Sequence, residues 1–120
     1  MTAVRLLILD DDPMIGMLIQ HIARAAGHET RQTQEPAEFF RGFDEWSPTH
    51  VAVDLNMPQM HGTEVLATLA EHGCRARIII TSGADPVTLA EAEREASARG
   101  LTIAGVLPKP FLPEALRRLL

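Results

Sequence analysis

Short apolar runs alternate along the chain with longer segments in which apolar residues recur every three or four positions. Leu6-Leu7-Ile8-Leu9 is continuously apolar, as a strand covered on both faces would be, and it stops at Asp10-Asp11-Asp12. Asp12-Pro13 has the form of a helix start, with Asp as N-cap and Pro at the first helical position. Ile15, Leu18, Ile19, Ile22 and Ala26 follow at helical spacing, and Gly27 supplies the stop. Residues 29–33 read as a short, weak strand. Pro36 opens a second helix with Phe39, Phe40 and Phe43 on its buried side, and Ser47-Pro48 breaks it. Residues 50–55 form a third strand and residues 56–62 a loop. Thr63 is the expected cap of a third helix carrying Val65, Leu66 and Leu69 and ending near Gly73. Ile78-Ile79-Ile80-Thr81 is a β-branched fourth strand. Asp85-Pro86 starts a fourth helix, rich in Ala, Glu and Arg, that stops at Gly100. Residues 103–107 give a fifth strand and residues 113–120 a last helix.

Strand and helix thus alternate five times. That order predicts a parallel sheet with helices on both faces, and in such sheets sites form beyond the carboxyl ends of the strands. The residues at those ends are Asp10 and Asp11, Asp54, Thr81-Ser82-Gly83, and Lys109. Gathered together, the carboxylates repel and favour holding a proton. A hard divalent cation such as Mg²⁺ relieves this, because it prefers a few oxygen ligands plus water. A lysine, a hydroxyl and backbone N–H groups complete a set suited to a phosphoryl group, whose charge lies on three oxygens. Taken singly, each residue has a plainer role: a charged turn for Asp10 and Asp11, a strand end for Asp54, a solvated surface lysine for Lys109. Asp12 is left as the helix cap. Adjacent strand residues face opposite sides, so only one of Thr81 and Ser82 can face the cleft. Gly83 after Ser82 allows close backbone approach and favours Ser82.

Bulk properties narrow the setting. A length of 120 residues suits one domain with a real core. The hydrophobic fraction of 46% and charged fraction of 22% describe an ordinary globular chain. A net charge of -5 argues against direct binding to nucleic-acid phosphates. The single cysteine, Cys74, excludes an internal disulfide. The first apolar run is too short for a signal-peptide core or a membrane span, so a cytoplasmic protein is expected. The five histidines lack metal-ligand spacing, and the run from Glu91 to Arg99 reads as a solvated helix face with a Glu95–Arg99 pair.

The set Asp10-Asp11, Asp54, Ser82 and Lys109 resembles the receiver domains of two-component response regulators. The stretch Asp54-Leu55-Asn56-Met57-Pro58-Gln59-Met60-His61-Gly62 is similar to their D-x-x-M-P-x-M-x-G loop, and Lys109-Pro110-Phe111 to their K-P-F turn. The likeness spans essentially the whole chain, residues 1–120, as one receiver domain. It implies a flavodoxin-like three-layer α/β/α sandwich with strand order 2-1-3-4-5. It also implies a Mg²⁺-dependent phosphorylation switch rather than an enzyme with turnover. Asp54 would accept the phosphoryl group from a histidine kinase, a phosphotransfer protein or a small acyl-phosphate. Asp11 would ligate Mg²⁺ directly and Asp10 through water, with Asp54 and the backbone carbonyl of Asn56 as further ligands. Lys109 would pair with a phosphoryl oxygen, Ser82 would donate to one, and the Lys109-Pro110 peptide would be cis. Output would pass through the face of the fourth helix, fifth strand and fifth helix, to a C-terminal output domain, a separate protein or a second copy of the chain. Three features depart from the family pattern. Val106 replaces a frequent aromatic residue, His61 replaces a usual Asp, and the segment from Pro86 to Thr102 is long enough to extend the fourth helix. Two competing readings are an unphosphorylated pseudo-receiver and an aspartyl-phosphate phosphatase of the haloacid dehalogenase type. The second needs an Asp two residues after the nucleophile, where this chain has Asn56.

Overall fold

The computed structural model describes residues 3–58, 60–83 and 85–120, so Gln59 of the third-strand loop lies outside the described residues. Five strands and five helices alternate: β1 (Arg5–Leu9), α1 (Pro13–Ala25), β2 (Glu29–Thr33), α2 (Pro36–Trp46), β3 (His50–Asp54), α3 (Gly62–Glu71), β4 (Arg77–Ser82), α4 (Pro86–Ala98), β5 (Thr102–Pro108) and α5 (Pro113–Arg117). The strands form one parallel sheet in the order β2-β1-β3-β4-β5.

The strand side chains divide between two cores, as the two-residue period requires. Leu7, Leu9, Val51, Val53, Ile78 and Ile80 pack with Phe39 of α2, Val65, Leu66 and Leu69 of α3, and Leu89 of α4. Leu6, Ile8, Ala52 and Ile79 pack on the other face with Ile19 and Ile22 of α1 and Leu116 of α5. Burying each such Leu or Ile contributes about 1.5–3 kcal/mol, so the three central strands, apolar on both faces, anchor everything attached to their ends.

Several local expectations need correction. Leu18 and Ala26 do not join the buried stripe of α1, since both are exposed. The N-cap of α3 is His61, whose Nδ1 accepts from the Thr63 N–H, so Thr63 lies inside the helix rather than capping it. Strand β3 stops at Asp54, because the Leu55 carbonyl accepts from Gly62 N–H and turns the chain into a closed loop. Gly62 is required there: a Cβ would fall 2.5 Å from the Leu55 Cα. Helix α4 has 13 residues, the same as α1, and is not extended. Strand β5 is longer than the apolar run, and its register against β4 skips Ala104, as a bulge does. Helix α5 ends at Arg117 because the bonds Leu119 N–H to Leu116 O and Leu120 N–H to Arg117 O tighten the last turn. The caps Asp12 and Asp85 and the stops at Gly27 and Gly100, both at positive φ, fall where expected.

Candidate functional site

Parallel register places the ends of β1, β3, β4 and β5 side by side, with Leu9 opposite Val53, Asp54 opposite Thr81, and Ser82 opposite Pro108. The first residue after β1 therefore meets the last residues of β3 and β4 and the residue after β5. Asp10, Asp11 and Asp54 each present an oxygen within 4.8 Å of the others.

Asp10 is 1% exposed. Its Oδ1 accepts from the Asp12 backbone N–H at 2.9 Å, and its Oδ2 accepts from Lys109 Nζ at 2.9 Å. Asp54 is 3% exposed. Its Oδ1 accepts from the Asn56 N–H at 3.1 Å and lies 3.6 Å from Lys109 Nζ. Asp11 is half-buried, and Asp12 faces outward, its carboxylate accepting from the Met14 N–H as helix cap. One ammonium group thus stands between two buried carboxylates. Lys109 is held by its own backbone, whose N–H donates to the Ser82 carbonyl at 2.8 Å, and its peptide bond to Pro110 is cis.

Burial is the main cause that pushes the Asp54 carboxyl above the usual carboxylate range, with Asp10 and Asp11 acting in the same direction. The Asn56 N–H and Lys109 oppose them. Ionised Asp54 is therefore held against its surroundings, and added positive charge at this edge would relieve it.

The two candidate hydroxyls separate. Thr81 Oγ1 donates to the Val53 carbonyl at 3.5 Å, within the sheet. Ser82 is fully buried, and its Oγ accepts from the side-chain amide of Asn56 at 3.0 Å. That contact spans 26 residues of sequence. The sequence pattern implies only a backbone-carbonyl role for Asn56, and a reach of this kind has no local signal.

The remaining chemistry-bearing residues stay apart from this edge. His72 pairs with Asp44 at 3.2 Å and stacks on Phe40. Trp46 carries the Arg31 guanidinium over its ring. Cys74 is half-buried, its thiol pushed up by burial. Among the described residues, the aspartate trio is the one group of three or more potential metal-ligating acids, thiols or imidazoles.

The fold and this edge define a doubly wound α/β domain with a compact acidic cleft at the carboxyl end of its sheet. The model of the response regulator receiver domain matches residues 6–120, and the chain belongs to that family. It is similar to chemotaxis protein CheY of Bacillus subtilis (strain 168), with 33% identity over 81 residues that cover 67% of this chain and 68% of that protein. Response regulator MprA of Mycobacterium sp. (strain KMS) is 29% identical over 94% of this chain, which spans 47% of that relative. Among solved structures, chemotaxis protein CheY4 of Vibrio cholerae superposes with a TM-score of 0.82 at 26% identity, covering 99% of this chain and 100% of its own.

Proposed function

We propose that the domain is a phosphorylation switch in which Asp54 accepts a phosphoryl group from a histidine kinase or phosphotransfer protein. The observation that carries this reading is the placement of Lys109 Nζ between Asp10 and Asp54, 2.9 Å and 3.6 Å away, at the edge where three carboxylates converge. In the reaction an Asp54 oxygen forms a bond to phosphorus. The bond from phosphorus to the donor nitrogen breaks, and its electron pair stays on the donor imidazole. Lys109 meets the phosphoryl charge, and Ser82 donates its hydroxyl hydrogen to a phosphoryl oxygen.

The donor set fits Mg²⁺, being made only of hard oxygens within reach of one another. Asp10, Asp11, Asp54 and the backbone carbonyl of Asn56 would hold it. When bound, the ion neutralises charge on the acceptor and on the incoming group.

Phosphorylation adds negative charge and strong acceptors beside Lys109 and Ser82. Both are joined to α4 and β5, so the readout passes through that face, with α5 alongside. Val106 leaves a groove of about 230 Å³ between α4 and β5, lined by Pro86, Leu89, Ala90, Glu93, Val106 and Pro108. Val106 carries no aromatic ring, so a rotating-ring readout has no group at this position. The partner on this face is an output domain, a downstream protein or a second copy of the chain, and the setting is cytoplasmic. Among the described residues no helix is long and apolar enough to cross a membrane. No turnover of substrate is required beyond gain and loss of the domain's own phosphoryl group.

Incubation with acetyl phosphate and Mg²⁺, read by intact mass, tests the reading. Wild type gains one phosphoryl group and Asp54→Asn gains none. Equal labelling of the two proteins would show that Asp54 is not the acceptor.

A further inference from the structure

We propose that the Asn56 side chain is a positioning residue for phosphoryl acceptance, acting through Ser82; this rests on the phosphoacceptor reading of Asp54. One residue touches both ends of the reaction. The Asn56 backbone N–H donates to Asp54 Oδ1 at 3.1 Å, and its side-chain N–H donates to Ser82 Oγ at 3.0 Å. Asn56 thus contacts both the acceptor carboxylate and the hydroxyl, whose strands the β3–β4 ladder already holds side by side.

The direction of the second bond matters more than its existence. A serine hydroxyl has one hydrogen and two lone pairs. An amide N–H occupying a lone pair forbids the O–H from pointing back at Asn56. The hydroxyl is kept as a donor toward other neighbours, which is the role a phosphoryl oxygen on Asp54 demands. Ser82 is fully buried, so water cannot take over this orienting task at no cost. The Ser82 carbonyl is in turn bonded to the Lys109 N–H at 2.8 Å, so the backbones that carry the hydroxyl and the ammonium are tied together. An acceptor at position 56 would draw the hydroxyl hydrogen to itself. Asparagine, with its donor, does the reverse.

The test is a double-mutant cycle on the full chain: wild type, Asn56→Ala, Ser82→Ala and the double variant, each phosphorylated by acetyl phosphate at saturating Mg²⁺. Asn56→Ala is expected to lower the maximal phosphorylation rate by about threefold to tenfold, the range one neutral hydrogen bond spans. The half-saturating acetyl phosphate concentration should not change. In the Ser82→Ala background the same substitution should lower the rate by less than about twofold further. An equal loss in both backgrounds, or an effect confined to half-saturation, overturns the inference. A second measurement avoids phosphorylation altogether. The side-chain NH₂ resonances of Asn56 should shift in Ser82→Ala and stay in place in Thr81→Val, and resonances unmoved by Ser82→Ala also overturn it. Should wild type take up no phosphoryl group, or Asp54→Asn take it up equally, the phosphoacceptor reading fails and the inference fails with it. Uptake at Asp54 with additive variants removes the inference alone.

Discussion

His50 at the start of β3 and Asp54 at its end are both buried, 8% and 3% exposed, and burial pushes each toward its neutral form. At His50 the other influences agree with burial. Arg77 and His28 lower its basicity further, and Nδ1 shares a hydrogen bond of 2.9 Å with Thr49 Oγ1. A neutral imidazole satisfies that end of the strand. At Asp54 the influences conflict, with Asp10 and Asp11 raising its pKa while Lys109 and the Asn56 N–H lower it. The same strand thus ends in a settled group on one side and a contested one on the other. Contested charges are common at functional sites, because a small arriving charge shifts their balance.

The largest expected effect comes from removing the arbiter. Lys109→Ala leaves Asp10, 1% exposed, without the ammonium 2.9 Å away. Breaking a buried pair costs several kcal/mol, and because Lys109 is 20% exposed, water recovers part of this. A loss of about 1–3 kcal/mol at pH 7, measured by urea unfolding, is expected. Phosphorylation by acetyl phosphate should slow by about a hundredfold, as for loss of one charge-stabilising group. Unchanged stability would mean that the two aspartates do not depend on this lysine.

Mg²⁺ should act on one end of the strand alone. A cation that binds only the folded chain, present at ten times its dissociation constant, stabilises by about 1.4 kcal/mol. Wild type and His50→Asn should both show that gain in urea unfolding, and Asp11→Ala should lose most of it. A full response in Asp11→Ala would move the ion away from the aspartate cluster.

Asp54→Asn is expected to stabilise the domain at pH 7, by about 0.5–2 kcal/mol as single stabilising substitutions commonly do. Because the folded pKa of Asp54 is raised, the folded state binds the proton more tightly than the unfolded one, and stability falls as pH rises through that window. The gain from Asn is therefore greatest above the folded pKa, and it disappears as pH falls toward the ordinary carboxylate value. A variant less stable than wild type at pH 7 would show that Asp54 is already compensated at rest.

What could be read from the sequence follows the reach of each interaction. The strand cores were legible because Leu6 to Leu9 and Ile78 to Ile80 are apolar without a break, and the sheet order and the converging aspartates followed from the family pattern around Asp54 and Lys109. Caps were legible where Asp precedes Pro, as at Asp12 and Asp85. They were not where an imidazole does the work, since nothing local distinguishes His61 from Thr63 as the residue that caps α3. Helical spacing placed Leu18 in the core, but α1 buries a narrower stripe and leaves it exposed. The Asn56–Ser82 bond and the bulge at Ala104 depend on how two distant segments meet, and neither segment alone records that.

The smallest effect belongs to the quiet end. The folded pKa of His50 lies below the ordinary value, so the unfolded chain takes up the proton first as the solution is acidified. Stability is then lost as pH falls through about 6.5 toward the folded value. His50→Asn removes that contribution. Whatever it costs in packing at pH 7.5, its further loss between pH 7.5 and 5.5 should be smaller than that of wild type by up to about 1 kcal/mol. Equal slopes for wild type and His50→Asn would mean that the buried imidazole is no harder to protonate than a free one, and the contrast between the two ends of β3 would be lost.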